Sequence, residues 1–100
     1  MEMLQADIVG RDDGQFPPVV VCEFVDAHGK TWQIREKEPV VRRGGMPPTR
    51  AFIAGEIICR ANGIICFDTR KPWGLEALDG TTVFHVRETL LAPTDAQTPP

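Results

Sequence analysis

Ala51-Phe52-Ile53-Ala54-Gly55-Glu56-Ile57-Ile58-Cys59-Arg60-Ala61 and Ile64-Ile65-Cys66-Phe67-Asp68-Thr69 stand on either side of Asn62-Gly63. Both central residues of a type I′ turn take positive φ, which Asn and Gly tolerate best, so this dipeptide between apolar runs predicts a two-residue β-hairpin. Loop length then sets the register: Ala61 opposite Ile64, Arg60 opposite Ile65, Cys59 opposite Cys66, Ile58 opposite Phe67 and Ile57 opposite Asp68. Both faces of the ribbon are largely apolar. It is therefore expected to be covered on both sides, as in a closed barrel, rather than to lie in a lone flat sheet.

A second hairpin is legible upstream. Val19 to Val25 and Thr31 to Glu36 are rich in β-branched and aromatic residues, and Asp26-Ala27-His28-Gly29-Lys30 separates them. With Gly29 in the left-handed position after a type I turn, Val25 faces Thr31, Phe24 faces Trp32 and Cys22 faces Ile34. Val20, Cys22, Phe24, Trp32 and Ile34 then share one face, while Glu23, Gln33, Arg35 and Lys37 fall on a partly wet opposite face. Met3 to Val9 reads as a first strand that ends at the turn-rich Gly10-Arg11-Asp12-Asp13-Gly14. Thr81 to Glu88 alternates as a last strand with Phe84 and Val86 inward.

Two segments resist regular structure. Pro39 to Arg50 carries three prolines and two glycines, which excludes a continuous element and makes it the longest internal loop. Long loops in compact domains tend to carry function, so this one is a candidate binding surface. Arg70 to Gly80 is expected to hold one short helical turn started by Pro72, with Leu75 and Leu78 on a common face.

These readings define an all-β chain: a small antiparallel β-barrel or β-roll of five to six strands with at most one short helical turn, an open sandwich being the alternative. The 100 residues, 42% apolar, suit one domain, placed at residues 1–91, followed by a polar tail at 92–100 that is expected to be disordered. No apolar run approaches the ~20 residues needed to cross a bilayer, and the N-terminal sequence lacks the basic and apolar regions of a secretion signal, so a cytoplasmic protein without membrane association is expected. Three cysteines make an odd count, and each lies in an apolar run, which argues against a secreted disulfide scaffold.

Chemistry-bearing motifs are sparse. Cys59 and Cys66 face each other in a hydrogen-bonded pair at a separation a disulfide can span, yet the close Cys-x-x-Cys pairs of structural zinc are absent, so they read as core thiols, with a thiol or metal site at the pair as the lesser alternative. His28 at a turn tip and His85 on the last strand have no evident nucleophile beside them, and serine is absent from the chain. No catalytic residue, metal ligand or cofactor is assigned on this basis, and the chain is not expected to be an enzyme.

Charge is unevenly spread around a net value of -3. From Arg35 to Arg50, Arg35, Lys37, Arg42, Arg43 and Arg50 outnumber Glu36 and Glu38, whereas Met1 to Lys30 is acidic. Trp73, in the polar setting Arg70-Lys71-Pro72-Trp73-Gly74, has no core stripe to join, so it is either an interface anchor or a lid on the barrel. The resulting expectation is a noncatalytic protein-binding module, of immunity or accessory type, whose candidate binding residues are Arg42, Arg43, Arg50, Arg70, Lys71 and Trp73. A small barrel binding single-stranded nucleic acid is the alternative, weakened by the absence of tyrosine and the core-like positions of the phenylalanines.

Overall fold

The computed structural model describes residues 1–93. Its elements are β1 (Glu2–Asp12), β2 (Val19–Val25), β3 (Thr31–Lys37), the helical turn α1 (Glu38–Val41), β4 (Arg50–Ala61), β5 (Ile64–Asp68), β6 (Val83–Arg87) and a 3-10 turn at Glu88–Leu90. The strands are antiparallel to their neighbours in the order β3-β2-β1-β4-β5-β6, and the sheet curls into a half-barrel. The all-β class and the six-stranded, barrel-like architecture agree with the sequence.

β4 is the hinge of the curl. Its first half pairs with β1, from Asp7 opposite Arg50 to Glu2 opposite Gly55, and its second half pairs with β5 from Glu56 onward. The exchange of partners falls at Gly55, where a Cβ would stand 2.4 Å from Phe67 Cε2 and 2.6 Å from the Asp68 carbonyl oxygen. Only a residue without a side chain lets β5 approach this closely.

The β2–β3 hairpin has the expected register, with Cys22 opposite Ile34, Phe24 opposite Trp32 and Val25 opposite Thr31, and Gly29 at φ 82°. The β4–β5 hairpin follows its expected register from the Asn62-Gly63 turn as far as Cys59 opposite Cys66. There a β-bulge intervenes, so Ile57 rather than Ile58 faces Phe67, Glu56 rather than Ile57 faces Asp68, and Ile58 is 59% exposed. The bulge returns Ile57 to the core side of the curled strand, which an uninterrupted ladder would have denied it.

Three further expectations are corrected. β1 does not stop at Gly10 but runs to Asp12, absorbing Val9 as an irregularity between Ile8 and Gly10 in its pairing with β2. The Pro39 region opens with a helical turn, since Pro39 satisfies the first-turn position where no amide is needed. The Arg70–Gly80 segment holds one hydrogen-bonded turn, the Gly74 amide donating to the Arg70 carbonyl at 2.9 Å, but no helix: Gly74 sits at φ 69° and the Leu75 amide donates back to the Thr69 carbonyl at 3.0 Å.

The segment 69–82 is a strap that fills the gap in the half-barrel. Ala77 bridges Ile34, the Leu78 amide donates to the Gln33 carbonyl at 3.1 Å, and Leu75 and Ala77 are buried. Beside it the β2–β3 turn closes on β6 through the Ala27 amide, which donates to the His85 carbonyl at 2.8 Å. Phe84 fills the space beneath, its ring meeting Phe24 at 5.2 Å and Trp32 at 5.0 Å edge to face. Most of the tail expected to be disordered lies outside the described residues; Ala92 is buried, and its amide donates to the Met3 carbonyl at 2.8 Å.

Candidate functional site

The loop before β4 lies over the outer face of β1 and β4, where Met3, Phe52, Ala54 and Ala92 form a small apolar cluster that Met46 covers. Arg42 turns inward to hold this cover. Its guanidinium donates to the carbonyls of Pro47 at 2.5 Å, Arg50 at 2.7 Å and Met46 at 3.4 Å. Arg50 spans β1 instead, donating to Gln5 Oε1 at 2.7 Å with Asp7 3.6 Å away. Arg43 is exposed, its guanidinium 3.6 Å from Met3 Sδ, beside a cavity of about 420 Å³ lined also by Gln5, Met46, Arg50 and Phe52. Of the three arginines in this loop that the sequence offers as binding groups, Arg42 and Arg50 are thus engaged in holding structure.

Arg70 and Lys71 line a different cavity, of about 430 Å³, with Glu56 and Asp68. Arg70 is paired with Asp68, Nη2 to Oδ2 at 2.7 Å, and that guanidinium holds the Asp68 carboxyl below the usual aspartate range. Trp73 is 54% exposed, so it is no lid; Leu75 and Ala77 take that place. Leu78, which the sequence pairs with Leu75 on one helical face and does not offer as a binding residue, is 66% exposed. It borders a third cavity, of about 330 Å³, with Lys30, Trp32, Gln33 and Asp79. Leu75 and Leu78 share no face because the strap is extended around Ala77, which puts one inside and the other outside.

A third constellation joins residues that the sequence left apart. Cys59 and Cys66 are bonded as a disulfide with Cα atoms 5.1 Å apart. Neither sulfur is in the core: Cys59 is exposed and Cys66 half-buried on the outer face, which overturns their reading as core thiols. Directly opposite Cys66 on β6 is His85. The pair that closes a two-residue turn exchanges hydrogen bonds, so β5 turns the amides of Ile64 and Cys66 toward β4, and Cys66 and His85 form a non-hydrogen-bonded pair, in which side chains approach most closely. The His85 carbonyl accordingly points away from β5, to the Ala27 amide. His28 stands beyond, its ring centroid 5.9 Å from that of His85. Cys22, by contrast, is fully buried, and burial pushes its thiol up to about 12.

Comparison with known proteins finds no family model, no curated protein and no solved structure that matches the chain. No helix among the described residues is long and apolar enough to cross a membrane.

Proposed function

We propose that this chain is a noncatalytic protein-binding module, of immunity or accessory type, that works in the cytoplasm and contacts its partner through the strap 69–82. The observation that carries the reading is the exposure of Trp73 and Leu78 on a strap whose neighbouring Thr69, Leu75 and Ala77 are buried. Large apolar side chains held outward by an anchored backbone are already ordered for contact, which lowers the entropy cost of association. Lys71 supplies a basic flank beside the Arg70–Asp68 pair, and Arg43 a second basic point on the loop before β4.

The test is affinity capture from the source cell with wild-type chain and with the Trp73→Ala, Leu78→Ala double variant. The expected result is a protein partner retained by the first and lost by the second, at unchanged melting temperature. Equal capture by both overturns the reading. Retention of RNA instead, falling steeply as salt rises, selects the nucleic-acid alternative.

A further inference from the structure

We propose that Cys59, Cys66 and His85 form a thiol–disulfide exchange site on the outer face of β4, β5 and β6, taking low-molecular-weight thiols or dithiols as reductant. The proposal is independent of the partner-binding reading and rests on three features of the row. The disulfide joins directly opposed strand residues, whose 5.1 Å Cα separation is the spacing of an antiparallel ladder, with ladder pairs on both sides of it. Its two residues are unequally exposed, Cys59 lying open to solvent and Cys66 half-buried. The less exposed residue has a histidine as its cross-strand neighbour on the side away from Cys59.

Exchange proceeds through a thiolate approaching along the axis of the sulfur–sulfur bond. The incoming thiolate RS⁻ attacks the exposed Cys59 Sγ; the Cys59–Cys66 bond breaks as the Cys59–SR bond forms, and the electron pair leaves on Cys66 Sγ. A second RS⁻ attacks the RS sulfur of the mixed disulfide and releases Cys59 as a thiolate. The sum is two RSH oxidised to RSSR and one protein disulfide reduced to two thiols, with the protons of RSH ending on Cys59 and Cys66. A protonated imidazole at His85 stabilises the leaving Cys66 thiolate, and a leaving thiol of lower basicity departs faster.

The surroundings favour that role. Arg87 flanks His85 on β6, and His28 faces it from the β2–β3 turn. On β5 the nearest acid is Asp68, which Arg70 pairs; on β4 Glu56 lies beyond the bulge, and Arg60 is bonded to Glu88 at 2.6 Å. The group directly across from the leaving sulfur is thus a histidine, with Arg87 two positions further along the same exposed face of β6.

The experiment treats the native chain with dithiothreitol, quenches by alkylation and locates the label by peptide mass. Cys59 and Cys66 are expected to be labelled together and Cys22 to stay unlabelled. With glutathione the trapped mixed disulfide is expected on Cys59. His85→Ala should slow reduction about tenfold near neutral pH and flatten its pH profile, whereas His85→Arg, a fixed cation, should restore the rate without the pH dependence. Melting temperatures should be alike for all three proteins, since His85 is exposed. A disulfide that reacts only on unfolding overturns the proposal. So do an oxidised-glutathione treatment that leaves both thiols free, a mixed disulfide on Cys66, and a His85→Ala variant with the wild-type rate and pH profile.

Discussion

The ring of Phe67 occupies the place that a side chain at Gly55 would need, its Cε2 atom 2.4 Å from the position of a Cβ there. β4 changes partner at this residue, so the contact decides how closely the two halves of the curled sheet stack. Gly55→Ala is expected to destabilise the fold by about 3 kcal/mol, because overpacking beside a fully buried ring forces the backbone to shift. Chemical denaturation measures it. Phe67→Leu in the same background should recover little, since the Asp68 carbonyl oxygen still stands 2.6 Å from the new Cβ.

Arg42 reaches three main-chain carbonyls with one guanidinium, a task that needs a planar fork of donors. Arg42→Ala should cost about 1–2 kcal/mol and speed protease cleavage between Arg43 and Thr49. Arg42→Lys should fail to restore protection, since one ammonium cannot satisfy carbonyls on both sides of the loop. Arg43→Ala, outside this clamp, should leave both stability and cleavage at wild-type levels.

What the sequence disclosed depended on how far apart the interacting residues lie along the chain. Gly29 and Asn62-Gly63 act within their own turns, so the register of both hairpins could be read near the turn. The bulge at Ile58 could not, because it answers to the curl around Gly55 and Phe67 rather than to anything at the turn. Nor could the neighbourhood of Cys66 and His85, since the strap 69–82 separates β5 from β6 and carries no signal of which residues will align. Trp73 was legible as an exposed anchor or a lid from its polar setting, and its exposure decides between them. The arginines of the loop before β4 misled for a simple reason: composition reports that a cation is present, not whether carbonyls already hold it.

Thr69 is the one buried polar residue of the described chain, and its hydroxyl lies 2.5 Å from the Leu75 carbonyl and 3.2 Å from that of Thr82. The Thr82 carbonyl also accepts from the Thr69 amide at 2.8 Å, so the hydroxyl proton belongs with Leu75. Thr69→Val keeps the shape and leaves that buried carbonyl without its donor, at a cost of about 1–3 kcal/mol. Hydrogen exchange should rise across 70–81 before it rises in the β2–β3 hairpin, because the strap loses its anchor while the hairpin keeps its ladder. Thr69→Ser should retain protection.

Asp26 ties the β2–β3 turn together and links stability to pH. Its Oδ1 accepts from the amides of His28 at 2.8 Å and Lys30 at 2.9 Å, and its Oδ2 accepts from the Trp32 indole at 2.8 Å. Partial burial pushes its carboxyl up, but the bonds from Trp32, Lys30 and His28 outweigh this and leave it below the usual aspartate range. A carboxyl lowered by folding stabilises the fold fully above its unfolded value, about 3.9, and ceases to do so as pH falls through the lower folded value. Asp26→Ala should therefore be less stable than wild type by about 1 kcal/mol at neutral pH, a modest figure because solvent screens the group. Below pH about 4 the two proteins should converge in melting temperature. Asp26→Asn should behave like Asp26→Ala at neutral pH, because its amide group would turn a donor toward either the indole or the turn amides, and its stability should lack the acid-range loss that Asp26 contributes.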